Sequence, residues 1–214
     1  MNITVLGATG STGLRVVDQL LAQGHTVRAT VRTQAKADEL VRRDLEASVL
    51  DLAAPGPRFA DVFAGSDAIM NAAATRSMDL QQAELIDHHG IVAAVDAAVS
   101  VGAKRWVQLS MWGTAEPTRL PGYLQATARA KLAADRHLEQ SDLNWTIVRP
   151  PWLNDNTATD QITVGDEVEE GSLSRNDLAT VLVSCLDHPA TFQRAFEVTG
   201  GGRPIAAALD SLAV

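Results

Sequence analysis

The stretch Asn2-Ile-Thr-Val-Leu6-Gly7-Ala-Thr-Gly10-Ser-Thr-Gly13-Leu-Arg-Val-Val17 decides how this chain is built. A short apolar run rich in β-branched residues ends at Gly7, and a helical period begins after Gly10. A strand that turns on three glycines into a helix has a physical use. Gly7 allows the tight turn, Gly10 lets backbone come close to a diphosphate, and Gly13 lets the helix pack against the strand. The amides at the helix opening, with its dipole, then hold negative charge. Thr9 belongs to the same turn, and Ser11 and Thr12 add hydroxyls. Following a strand and opening a helix within a βαβ unit, the turn is read as a dinucleotide site.

Working outward, short apolar runs alternate with longer helical patterns. Strands are expected at 3–6, 26–31, 47–50, 68–71, 106–109, 145–148 and 195–198. Helices are expected at 12–23, 35–43, 80–101, 124–140, 174–187 and 205–212. Strands this short and apolar are buried on both faces, as in a parallel sheet covered by helices. The expected fold is α/β: a doubly wound, mostly parallel, Rossmann-like sheet in three α/β/α layers. Two irregular stretches, 111–122 and 150–171, follow strands at the edge where such sheets bind ligands. Residues 111–122 and 150–172 are expected to form a small substrate-side cap on a single domain spanning 1–214.

Composition narrows the function. The 214 residues are 46% hydrophobic and 21% charged, which suits one globular domain without disulfide or metal staples. The single cysteine, Cys185, excludes a disulfide framework or a CxxC motif. A net charge of −8 repels nucleic acid and anionic lipid, and four Trp, four Phe and one Tyr are too few for a base-stacking platform. With no leader pattern at Met1 and no long apolar run, the default compartment is cytoplasm. The expected partner is a small-molecule substrate, with no nucleic acid or membrane, and the chain is expected to be a monomer or homodimer.

The end of the second strand selects the cofactor. A site for NAD(H) usually places a carboxylate there, whereas a 2′-phosphate calls for an arginine. The chain has Val31-Arg32-Thr33 and no carboxylate before Asp38. Arg32, with Thr33 and Lys36 near it in sequence, therefore favours NADP(H) over NAD(H).

With these residues in hand, the chain resembles the atypical short-chain dehydrogenase/reductases, in the NmrA-like branch that includes flavin and biliverdin reductases. Besides the glycine turn, the resemblance rests on Asp51, Asn71-Ala72-Ala73, Val107-Gln-Leu-Ser110, Lys131, Trp145-Thr-Ile-Val-Arg149-Pro150, Ser174-Arg-Asn-Asp177-Leu-Ala179 and Phe196-Glu-Val-Thr-Gly200-Gly-Gly. It implies that Asp51 and Leu52 sit by the adenine and that Asn71, Ala72 and Ala73 line the cofactor. It also implies that Pro150, Pro151 and Trp152 wall the nicotinamide, that Lys131 reaches its ribose, and that Ser110 faces the substrate.

One departure stands out. The superfamily usually carries a tyrosine four residues before the lysine, and here that position is Thr127. The lone tyrosine, Tyr123, lies a further turn back, about 12 Å along a helix from Lys131 and off its face. Tyr123 stays a weak catalytic candidate beside Ser110 and Lys131. Without a tuned phenol, alcohol–ketone chemistry loses its proton donor. Acceptors that delocalise the incoming charge do not need one.

Several residues are set aside. His88 and His89, beside Asp87, occupy adjacent helical positions about 100° apart, so the pair is not expected to share a metal; both are read as solvated, and no metal site is expected. His25, His137 and His188 are isolated, and 166–170 reads as a solvated acidic loop. Cys185 reads as core, and Asp177 as a capping residue. The resulting expectation is an NADP(H)-dependent oxidoreductase that passes hydride to a small planar, flavin- or quinone-like acceptor. FMN or FAD would then be a substrate. Two rivals remain: a non-catalytic NADP-binding redox sensor, favoured by the absent tyrosine, and an NAD-bound epimerase or isomerase, disfavoured by Arg32.

Overall fold

A computed structural model describes residues 1–75 and 79–213. Its central sheet has nine strands in the order β11-β8-β10-β6-β5-β4-β1-β2-β3. Seven of them are parallel: β3 (Glu46–Val49), β2 (Thr26–Val31), β1 (Asn2–Leu6), β4 (Ala68–Asn71), β5 (Arg105–Leu109), β6 (Asn144–Arg149) and β10 (Arg194–Gly200). β8 (Gln161–Gly165) and β11 (Arg203–Pro204) close one edge antiparallel. β4 and β5 are buried at every position; their apolar residues sit in a sheet covered on both faces, and the buried polar side chains Asn71, Arg105 and Gln108 are hydrogen-bonded there.

Helices cover both faces. On one side α1 (Ser11–Ala22), α2 (Gln34–Val41), α7 (Arg175–Ser184) and α8 (Ile205–Asp210) pack Val16, Leu20, Leu40, Leu178, Leu182 and Leu209 over Ile3, Val5 and Ala29. On the other, α3 (Arg58–Phe63), α5 (Ile91–Ser100) and α6 (Gly122–Glu139) pack Phe59, Phe63, Ile91, Val95 and Leu138 over Ile69, Trp106 and Ile147. Successive strands step outward on either side of β1, so the order reverses between β1 and β4. A crevice opens at that reversal, at the carboxyl edge of the sheet. Among the described residues no helix is long and apolar enough to cross a membrane.

The structure departs from the sequence-based expectation in three places. The stretch read as irregular at 150–171 contains β7 (Trp152–Asn154) and β8, and β7 pairs with β9 (Ser172–Ser174) in a small separate sheet. β8 buries Ile162 only by joining β10, a partner that local pattern does not reveal. The helix α3 was not expected; it is six residues long and is held by the burial of Phe59, Val62 and Phe63. The single helix expected at 80–101 is instead α4 (Leu80–Ala83), a π-helical segment (Glu84–Gly90) and α5. The buried positions Ala83, Asp87, Gly90, Ile91, Ala94, Val95 and Ala98 keep α-helical spacing, so periodicity gives no sign of the wider turn.

Candidate functional site

A cleft of about 750 Å³ runs along the carboxyl edge from the end of β2, across β1 and β4, to the end of β5. The glycine turn forms its floor. Gly7 adopts φ +73°, and a Cβ there would lie 2.6 Å from the Ala73 Cα. A Cβ on Gly13 would lie 2.1 Å from the Gly7 carbonyl oxygen, so α1 approaches the strand closely only because no side chain intervenes. Gly10 occupies the cap position of α1; no side chain caps the helix, and no carboxylate sits in its first turn. The opening amides and the dipole therefore face the cleft unneutralised, with Thr9, Ser11 and Thr12 beside them. These residues fit the diphosphate of a dinucleotide.

At the β2 end, Arg32 lines the cleft, is exposed, and forms no ion pair or hydrogen bond among the described residues. The two residues grouped with it in sequence point elsewhere. Thr33 caps α2, its hydroxyl oxygen accepting from the Lys36 amide at 3.4 Å. Lys36 pairs with Glu39 at 2.8 Å and holds that carboxyl below its ordinary range. Asp51 and Leu52 do line the cleft, and Asp51 also accepts from the Ala53 amide at 3.0 Å.

At the β4 end, Ala72 and Ala73 line the cleft while Asn71 is fully buried behind them. Its Oδ1 accepts from the Ala73 amide at 3.0 Å and its Nδ2 donates to Gln108 Oε1 at 3.1 Å. Asn71 thus shapes the wall rather than touching what the wall holds.

The residues expected at the reacting end are not brought into the cleft. Lys131 is buried and donates to Asp87 Oδ1 at 3.0 Å; Asp87, on the π-helical segment, also accepts from the Thr75 amide at 3.3 Å. Ser110 is buried and donates to Asp135 Oδ2 at 2.8 Å, an oxygen that Arg149 also engages at 3.1 Å. Burial pushes the Asp135 carboxyl up, against the opposing pull of Arg149, Ser110 and Lys131. Asp135 Oδ1 has no hydrogen-bond partner among the described residues. Tyr123 is 53% exposed at the start of α6, and Thr127 is half-buried. Pro150 is buried, its carbonyl accepting from the Trp112 amide, and Pro151 is half-buried. Trp152 is 53% exposed and donates to Glu170 at 2.9 Å. None of these lines the cleft.

Sequence reasoning missed other lining residues: Gln82, Ile86, Leu109, Leu153 and Arg175. Arg175 pairs with Asp155 at 3.1 Å and borders the same cleft as the glycine turn. Its motif gave away only a helix start, with Ser174 accepting from the Asp177 amide as the N-cap. Asp177 is consumed by Ser174 and by the Thr159 and Asp160 amides, a structural role. A second cleft of about 340 Å³, bordered by Gln34, Arg58 and Asp61, lies away from the glycine turn.

Comparison with known proteins agrees with this geometry. A family model described as NAD(P)H-binding matches residues 7–189. YhfK of Bacillus subtilis, named an uncharacterized sugar epimerase, is 32% identical over 99% of this chain and 100% of its own length. A solved structure of a proposed NAD-dependent epimerase/dehydratase from Bacillus halodurans is 31% identical, covers 99% of both chains and superposes with a TM-score of 0.90. The anaerobillin reductase ChuY of Escherichia coli O157:H7 is 21% identical, covers 94% of this chain and 97% of its own, and shares the fold with a TM-score of 0.81.

Proposed function

Because the chain belongs to the NAD(P)H-binding family and fits the atypical, NmrA-like short-chain dehydrogenase/reductases it resembles, we propose that it is an NADP(H)-dependent reductase that passes hydride to a small planar acceptor. One observation carries the reading. Of the described residues lining the cleft, only Arg32, Asp51 and Arg175 are ionisable. Two are permanent cations, and the third holds a local turn. No side chain there is suited to giving or taking a proton near neutral pH, so the acceptor must be one that spreads the incoming charge over a conjugated system, as a flavin or quinone does.

When bound, NADPH supplies the hydride. The amides of α1 hold its diphosphate, with the Arg175 guanidinium alongside. Arg32 offers a free fork of donors to the 2′-phosphate. Ala72 and Ala73 keep one wall narrow and smooth. Leu109, Leu153 and Ile86 supply apolar surface that excludes water and favours a flat acceptor. Lys131 and Ser110 act from behind, as parts of the buried framework.

The epimerase reading, which the names of the two Bacillus proteins suggest, needs an acid–base group at the reacting carbon, and the described lining lacks one. A redox sensor needs none and is the second reading. The test is to mix purified protein with NADPH or NADH and a panel of FMN, quinones, dyes and nucleotide sugars, following loss of reduced-nicotinamide absorbance. Turnover with NADPH and a conjugated acceptor is expected. Tight NADPH binding with no acceptor oxidising it would favour the sensor, and interconversion of nucleotide sugars in a parallel incubation with NAD⁺, followed by chromatography, would restore the epimerase.

A further inference from the structure

The π-helical segment carries a cluster that the nicotinamide chemistry does not use. Glu84, His88 and His89 each offer one ligand atom, and the three atoms lie within 4.8 Å of one another. In an α-helix a residue five positions on is rotated about 140° from the first and cannot share its ligand. A π-helix closes i→i+5, so positions i+4 and i+5 come to lie on either side of position i, one turn along. Glu84, His88 and His89 are that set. The two rings lie 4.6 Å apart, and both present a nitrogen to one carboxylate oxygen: His88 Nδ1 at 2.6 Å and His89 Nε2 at 3.4 Å from Glu84 Oε1.

We propose that Glu84, His88 and His89 form a three-ligand site for an imidazole-preferring divalent transition ion, with Zn²⁺ as the representative. Donors about 2.1 Å from a tetrahedral ion stand roughly 3.4 Å apart. The Glu84–His89 edge already has that length, and the Glu84–His88 edge opens by less than an ångström. Two imidazoles and one carboxylate suit Zn²⁺, Ni²⁺ or Cu²⁺ and disfavour Mg²⁺ or Ca²⁺, which call for oxygen ligands. The fourth position faces solvent, since Glu84 and His89 are at least half exposed and His88 is 26% exposed. Without metal, His88 Nδ1 is hydrogen-bonded to Glu84 Oε1, so an incoming ion has to replace that contact.

The site shares its turn with Ile86, which lines the cleft, and Asp87, which holds Lys131 and the Thr75 amide. An ion there staples the wide turn and is expected to raise the melting temperature.

The test is calorimetric titration of the tag-free protein with ZnCl₂, with MgCl₂ as control. One equivalent of Zn²⁺ is expected to bind, with affinity weakened at least roughly tenfold in H88A and in H89A, the floor that even outer-shell losses set. Binding should be unchanged in H25A. Titration with Co²⁺ should give visible absorption bands that both variants lose. Because His89 is 57% exposed, H89A keeps the fold and decides the question even if H88A does not. No saturable binding, or H89A binding Zn²⁺ as tightly as the parent, overturns the proposal.

Discussion

The two edges of the parallel sheet use their arginines in opposite ways. Arg105 opens β5 at the amino edge and is 4% exposed. Its guanidinium donates to the carbonyls of Leu186, Trp106, Asn144 and Cys185 and to the Thr146 hydroxyl, and it stands 4.7 Å over the Phe192 ring. Burial pulls its pKa down to about 10, so it remains a cation at neutral pH with no carboxylate partner among the described residues. Arg32 leaves β2 at the carboxyl edge, exposed and with nothing to bind among the described residues. A buried donor set that is fully spent is architecture. An exposed one beside a cleft is free to recognise a ligand.

The contrast can be broken most forcefully at Arg105. R105M keeps the stem but removes five donated hydrogen bonds at a buried site. It should lower unfolding free energy by about 4 kcal/mol or more in urea titration, with cofactor preference untouched. A loss below about 1 kcal/mol would mean that water enters that edge and the guanidinium is dispensable.

Next comes the buried pair behind the cleft, which shows that the carboxyl edge is not open throughout. K131M strands a buried Asp87 and should cost about 3–5 kcal/mol, whereas the D87N/K131M double variant should recover most of that. If K131M instead left stability intact and lowered kcat alone, Lys131 would reach the reacting centre.

Arg32 gives a smaller and more selective effect. R32A should weaken NADPH binding by about 1.5–3 kcal/mol, roughly tenfold to a hundredfold, and leave NADH unaffected. Equal losses for both coenzymes would place Arg32 away from the 2′-phosphate.

The smallest effect at ordinary pH belongs to Cys185, whose carbonyl accepts from Arg105. Burial pushes its thiol up to about 12. A raised folded pKa means that the native protein holds the proton more tightly than the unfolded chain does. Its contribution is complete below about pH 8.5 and is lost as pH rises toward the folded value. Stability should be flat in this respect through neutral pH and decline in alkali, with C185A showing a shallower decline. The native thiol should also resist alkylation at neutral pH.

The sequence resolved the part of the site built from backbone better than the part built from side chains. Gly7, Gly10 and Gly13 declare their purpose locally, because the turn and the close helix approach depend on which residues lack a Cβ. The parallel strands are legible in the same way, since burial on both faces leaves continuous apolar runs. Lys131 and Ser110 were read as facing the ligand, yet Asp87 and Asp135 take them up. Neither acid is distinguishable in the sequence from an ordinary helical carboxylate. Thr33 and Lys36 were grouped with Arg32 by adjacency, but one caps α2 and the other pairs within it.

By itself, then, the sequence determined the strand–turn–helix that opens the chain, the parallel α/β sheet, and the arginine at the end of β2. Each of these follows from rules acting over a few residues. Only the tertiary structure decided which polar side chains reach the cleft and that Glu84, His88 and His89 converge. Ion pairs in a low-dielectric interior join residues tens of positions apart, and a switch from α to π winding leaves no trace in the spacing of apolar residues.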